Sequence, residues 1–295
     1  MIPCPRCHRP IPESAVRCRH CRHAIHPPPF KPPVFVSKTL QGRRFLPRFA
    51  EEPEIRWGWL EVLLFLPLFL AGSWWLQQQG TGMAWVDWLR RNFFIFTREP
   101  LLQMYVYIFT ETFLLKLGSV LLLVFYLRSR GSPIAKPLAL SGPVQNRSNR
   151  FLAGFFFLCV LVAWWEGIDP LSPDLPTPLF FQESALLGNL LAVFSLVVVA
   201  PDTEEIIFRG FLFPVLRKSL GPWVGVLITS VLFALAHAPQ MHGAYDHLWV
   251  IFVVGLLLSW QRAVTGSTKY TIYLHALYNA SLTLGGFLRF CFYGF

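Results

Sequence analysis

An all-α bundle of about seven to eight membrane spans, with a small separate head at its N-terminus, is the fold class that three features predict. The 295 residues are 54% hydrophobic and 16% aromatic but only 14% charged, whereas a soluble domain carries about 25% charged residues; the mean hydropathy is +0.46. Apolar runs approaching the roughly 20 residues that a helix needs to cross a bilayer recur from Trp57 onward. The charge is also segregated. Residues 1–50 hold ten Lys or Arg against one acid, Glu13, and so account for +9 of the formal +10, leaving the apolar part nearly neutral.

The head, residues 1–25, carries Cys4-x2-Cys7 and Cys18-x2-Cys21, with ten residues between the pairs. Paired CxxC knuckles suit tetrahedral thiolate coordination of Zn²⁺. The segment is too short to build an apolar core, so a structural metal is its expected source of stability. It resembles the small zinc ribbons at the ends of many bacterial membrane proteins. No signal peptide precedes Cys4, which points to a reducing cytoplasm and argues against disulfides. His8, His20 and His23 are substitute ligands only, because four cysteines already close a structural site. Residues 26–54, with His26-Pro27-Pro28-Pro29 and Lys31-Pro32-Pro33, read as a basic, Pro-rich, semi-rigid linker. The basic charge acts as a cytoplasmic retention signal that also tolerates contact with lipid. No nucleic-acid partner is expected.

The first span runs from about Trp57 to Leu76, with Pro67 as an expected kink. Met83–Phe96 is interrupted by Asp87, Arg90 and Arg91 and reads as an interfacial helix. Further spans follow at about Leu101–Leu127, Phe151–Trp165, Ser184–Lys218, Trp223–His237, His247–Trp260 and Tyr270–Leu288. Pro201 is expected to break the long stretch Ser184–Lys218. Residues 55–150 form an N-terminal transmembrane region and 151–295 a second one. Loop 128–150 holds five basic residues and no acid, while loop 166–183 holds Glu166, Asp169, Asp174 and Glu183 and no base. The first therefore belongs inside and the second outside, with the N-terminus cytoplasmic.

Three polar motifs interrupt the second region. Glu204-Glu205-Ile206-Ile207-Phe208-Arg209 reads EExxxR, Phe233-Ala234-Leu235-Ala236-His237 reads FxxxH, and His275-Ala276-Leu277-Tyr278-Asn279 reads HxxxN. Acids and imidazoles are costly in lipid, so they are expected to face a cavity and one another. On a helix, Glu205 and Arg209 stand at i and i+4, the favourable order for an ion pair. Glu204 sits about 100° around from Glu205 and remains free for acid–base chemistry. His237 can orient or share a proton with Glu204, and His275 with Asn279 can donate to a developing oxyanion. Phe233 reads as packing.

These three motifs, with the run into Ala200-Pro201 and the Phe208-Arg209-Gly210 that follows the acids, resemble those of the CPBP family. That family comprises the CAAX proteases and bacteriocin-processing enzymes, also called ABI, and includes the type II CAAX prenyl endopeptidases. The resemblance covers about half the chain, from Phe151 to Phe295. It implies a hydrolase, an intramembrane endopeptidase, in which Glu204 and His237 activate water while His275 and Asn279 form the oxyanion hole. Glu205 and Arg209 take supporting places, and no catalytic metal is expected. The implied partners are a bilayer and a membrane-protein or peptide substrate, and the implied location is the plasma membrane of a bacterium. Two alternatives stand beside this reading: a zinc-dependent protease using the same residues, since two His and one Glu are a legitimate zinc set, and a non-catalytic scaffold or immunity-type binding protein.

One tension concerns depth. Glu204 lies 13 residues from Arg217, about 20 Å along a helix, whereas His275 lies six residues past Lys269, about 9 Å. A break at Pro201, helix tilt or a re-entrant start is expected to bring them together.

Overall fold

The computed structural model describes residues 2–11, 17–23, 49–79, 114–131, 134–168, 186–238, 245 and 248–293. The chain divides into two compact units, Met1–Pro47 and Arg48–Phe295.

In the first unit β1 (Ile2–Pro3) pairs antiparallel with β2 (Pro10–Ile11), Ile2 opposite Ile11. Two knuckles with the same bonding follow from the repeated CxxC. The His8 amide donates to the Cys4 carbonyl and the Cys4 amide to the Arg9 carbonyl. In the same way the Arg22 amide donates to Cys18 and the Cys18 amide to His23. The residue after each pair, His8 (φ 57°) and Arg22 (φ 58°), is left-handed, which turns the chain back around the sulfurs. Among the described residues the apolar centre of this unit is Ile11 with the four cysteines. That is too little burial to hold a fold by itself.

The second unit is all-α. Seven helical rods are described: α1 (Trp59–Gln79), α2 (Gly118–Ser129), α3 (Asn149–Ile168), α4 (186–220), α5 (Pro222–Ala236), α6 (Leu248–Thr265) and α7 (Thr268–Tyr293). Pro67 lies inside α1 without ending it. Met83–Phe96, the expected interfacial helix, lies outside the described residues. Gly221 (φ 85°) turns α4 into α5, and Gly266 (φ 67°) turns α6 into α7. A Cβ on Gly266 would also lie 2.9 Å from that of Ala50.

The start of α1 and the end of α2 lie together, because Tyr126 reaches Glu61 at 3.4 Å and Arg56 donates to the Gly131 carbonyl at 3.1 Å. The two helices are thus antiparallel, and the rods alternate in direction. The α2–α3 loop, the α4–α5 turn and the α6–α7 turn meet at one end. There the Gln145 amide donates to Thr265 and the Thr268 amide to Ala139, both at 2.9 Å. The bundle's packing already starts at residue 49. Glu52 bridges Arg217 at 2.8 Å and Arg262 at 2.7 and 2.6 Å, and the Trp57 indole donates to the Phe211 carbonyl at 2.9 Å. All the basic loop residues used to assign the inner face therefore belong to this one end.

The exterior differs from that of a water-soluble fold. Arg209, Arg262 and Glu205 are fully buried within a largely apolar interior, while Leu60, Leu63, Leu64 and Leu68 of α1 and the i, i+4 stripe Trp223, Leu227, Val231 and Leu235 of α5 point outward. An apolar exterior with charged groups held inside suits a lipid surrounding. By length and composition alone, one helix among the described residues, α6, is long and apolar enough to cross a membrane.

The expected break at Pro201 does not occur. The chain from 186 to 220 stays helical and instead widens twice, into π-helical turns at Ser195–Val199 and Ile206–Leu212. Pro201 follows the first of these, in the opening turn of Ala200–Glu205. There the bonding has already shifted, the Ala200 amide reaching back five residues to Ser195, so the amide that proline lacks is not missed. Wide turns advance less per residue than α-turns, and this reduces the depth gap between Glu204 and His275.

Candidate active site

The two acids of α4 sit between the wide turns and are both buried. Glu205 is held by Arg209, whose Nη1 donates to Oε1 at 2.8 Å. The other Arg209 donors are also engaged: Nε on Ser259 Oγ at 3.2 Å and Nη2 on the Gly255 carbonyl at 3.0 Å. Its guanidinium lies 4.2 Å from the Phe233 ring centroid. The i, i+4 pair read from the sequence is thus present, and α6 supplies two partners that it did not announce. Gly255 permits the approach, since a Cβ there would meet the Phe233 ring at 3.1 Å.

Glu205 has a second task. Its Oε1 is 2.9 Å from His275 Nδ1 on α7. At the end of α5, His237 Nδ1 is 2.8 Å from the Phe233 carbonyl. A carboxylate and a carbonyl can only accept, so each Nδ1 carries the hydrogen, and a ring in its neutral form offers a lone pair at Nε2. Both Nε2 atoms are directed at the same oxygen, Glu204 Oε2, from 3.6 Å for His237 and 4.0 Å for His275. The Phe233 ring forms one wall, 4.7 Å from His237 and 5.7 Å from His275. It is packing, as read, but packing that sets the angle of both imidazoles.

Asn279, one turn beyond His275, donates Nδ2 to the Leu196 carbonyl at 2.8 Å. That carbonyl belongs to the first wide turn, and the amide has a second N–H besides.

The structure therefore brings Glu204, Glu205, Arg209, Phe233, His237 and His275 into one cluster, with Asn279 at its α7 edge. Sequence reading missed Lys116. It stands in the turn leading into α2, and its ammonium is 2.7 Å from Glu204 Oε1. The signal was present: Lys116 is the lone charge in the apolar run 114–127, and an ionisable group at membrane depth is a functional candidate by default.

In the head, the four cysteine sulfurs all lie within 4.8 Å of one another, with Cys4–Cys21 at 3.7 Å and Cys7–Cys18 at 3.6 Å. Tetrahedral bonds of about 2.3 Å to zinc require sulfurs about 3.8 Å apart, so the residues fit such an ion. The Cys21 amide, with burial opposing it and the His20 amide assisting, draws the Cys18 thiol down to about 6. Cys7, although the Arg9 amide favours its thiolate, is pushed up to about 12 by burial and the neighbouring thiols. A divalent cation would remove that conflict.

Residues 186–281 match the family model described as Type II CAAX prenyl endopeptidase Rce1-like. The chain is 28% identical over 150 residues to an uncharacterized 24.3 kDa protein of Escherichia coli, an alignment covering 47% of this chain. It spans 64% of that relative's length. No solved structure matches at a comparable level. The matched residues run from the start of α4 to beyond Asn279, so the helices that hold the site carry the signature of the type II CAAX prenyl endopeptidases of the CPBP family, a family of peptide hydrolases.

Proposed function

We propose that this chain is a membrane-embedded endopeptidase that cleaves a peptide bond with water activated by Glu204 and His237. The observation that carries the reading is the convergence of three proton acceptors, Glu204 Oε2 and the Nε2 atoms of His237 and His275, at 3.6 and 4.0 Å. Acceptors crowd around one point where a donor or a cation binds, and water is the donor a hydrolase needs. Glu204 takes a proton from that water with His237 sharing or orienting it, and the hydroxide adds to the scissile carbonyl carbon. Negative charge then develops on the carbonyl oxygen. Asn279 donates its second N–H there, and His275 donates from Nε2 once the water's proton has moved to it from Glu204 Oε2, 4.0 Å away, a state stabilised by Glu205 behind Nδ1. Collapse of the intermediate breaks the C–N bond, and that same proton passes back through Glu204 to the leaving amine.

Metal-free chemistry is favoured over a zinc centre because Lys116 already places a cation on Glu204, and a second cation at the same carboxylate would be repelled. The substrate is a membrane protein or peptide, and a prenylated CaaX tail is the class that the family model's name suggests. The four cysteines of the head hold one structural Zn²⁺. The chain is a multi-pass protein of a bacterial plasma membrane with a cytoplasmic N-terminus.

The test compares membrane peptides from cells carrying the native chain and its Glu204→Gln form. Peptides that appear only with the native chain identify the substrate. Identical peptide sets would end the protease reading and favour the scaffold.

A further inference from the structure

We propose that Lys116 is the positioning residue of the proposed protease, the fixed counter-ion that keeps Glu204 ionised and turns a single oxygen toward the histidines. This rests on the endopeptidase reading above and adds a residue from outside the matched segment 186–281.

The buried cluster holds two carboxylates, Glu204 and Glu205. Arg209 is committed to Glu205, with every donor group engaged. The ammonium on Glu204 is Lys116, at 2.7 Å, and both side chains are nearly buried, at 11% and 6% exposure. Among the described residues two acids and two bases therefore balance when both imidazoles are neutral. Among the described residues no other group bonds Glu204 with a fixed positive charge: Arg209 is bonded to Glu205 and acts on Glu204 only through space, His237 and His275 are cations only when protonated, and Asp202 on the same helix is another acid. Without Lys116 the cluster would carry one uncompensated negative charge in a low-dielectric surrounding. It would then recover neutrality by taking a proton, either on Glu204, which removes the base, or on an imidazole, which changes its partner.

Geometry adds to charge. Lys116 binds Oε1, while both Nε2 atoms face Oε2. A carboxylate is free to rotate about its last bond; anchoring one oxygen fixes the other between the imidazoles. Lys116 also lies on the turn into α2, so it ties the N-terminal helices to a motif contained wholly in α4–α7.

The experiment uses the full chain with Lys116→Met and Lys116→Arg at matched membrane levels. The readout is the yield of those cleaved peptides that depend on Glu204. Lys116→Met is expected to lower the yield by about tenfold or more, the usual scale for losing a group that orients a catalytic one. Lys116→Arg, which keeps the charge, is expected to restore most of it. Native yield from Lys116→Met, or no rescue by Lys116→Arg, would overturn the proposal even if Glu204→Gln is inactive.

Thermal unfolding in detergent gives a second measurement that needs no substrate. Lys116→Met should lower the unfolding temperature by stranding Glu204. Adding Glu204→Gln should recover much of that loss, since no unpaired charge remains. Strictly additive losses would show that the two residues are not a pair and would equally overturn it. Failure of the endopeptidase reading looks different: no peptide then depends on Glu204, while the unfolding cycle still reports on the pair.

Discussion

Glu204 and Glu205 are neighbours in the chain with the same chemistry, and their surroundings give them separate work. Glu205 is shared between the Arg209 guanidinium and His275 Nδ1 at 2.8 and 2.9 Å, so it cannot also serve as the base. Glu204→Gln keeps the shape and removes the proposed base; cleavage of an identified substrate is expected to fall to background in a peptide assay. Asn279→Ala removes one proposed oxyanion donor and is expected to lower turnover by about 10²–10³, with little change in KM. Glu205→Gln weakens Arg209 and the support of an imidazolium at His275 together. It is expected to lower both the unfolding temperature and the turnover, whereas Asn279→Ala should lower turnover far more than stability. The pairing of Glu205 with Arg209 was legible because i, i+4 is a local relation. The Glu205–His275 contact was not, because 70 residues separate its partners.

At the scale of elements, α4 differs most from expectation. Proline in a long apolar stretch reads as a break, yet the helix continues because two π-helical turns absorb the irregularity on either side of the acids. Such wide turns recur at functional sites, and here they flank the six residues that carry both carboxylates. The head is the opposite case, since CxxC spacing is local and the knuckles follow from it. Metal analysis of the purified chain is expected to give about one Zn²⁺ per molecule, and Cys18→Ser should abolish it. Because the ion competes with protons for four thiolates, its binding should weaken as pH falls, most steeply once the Cys18 thiol protonates near 6. A form lacking residues 1–25 is expected to retain proteolysis in the presence of a strong chelator. Loss of activity on chelation, with recovery on adding Zn²⁺, would instead establish the zinc-dependent alternative.

For the whole molecule, the alternation of the seven described rods places the basic loops among the described residues at one end, held together by Glu52 between Arg217 and Arg262. Removing Glu52 strands Arg262, which has no exposed surface. Glu52→Ala is therefore expected to destabilise the bundle by about 3 kcal/mol, read as a lower unfolding temperature in detergent. With Cys291, which is exposed, replaced by serine, a cysteine at Ser172 should react with an impermeant thiol reagent on intact cells. One at Ser141 should react only after the membrane is opened. The reverse pattern would invert the topology.

Composition and hydropathy alone determined that this is a helical chain suited to lipid, because burying apolar side chains and pairing backbone groups leaves few other solutions in a bilayer. Residue spacing alone determined the cysteine knuckles, the Glu205–Arg209 pair and the identity of the polar positions, since each is set within a few residues along the chain. Only the tertiary structure decided that Glu205 orients His275, that Ser259 and Gly255 complete Arg209, that Glu52 locks the basic end, and that Lys116 meets Glu204 across 88 residues. These relations depend on how helices rotate and slide against one another. That is settled by packing over the whole bundle, and no local pattern encodes it.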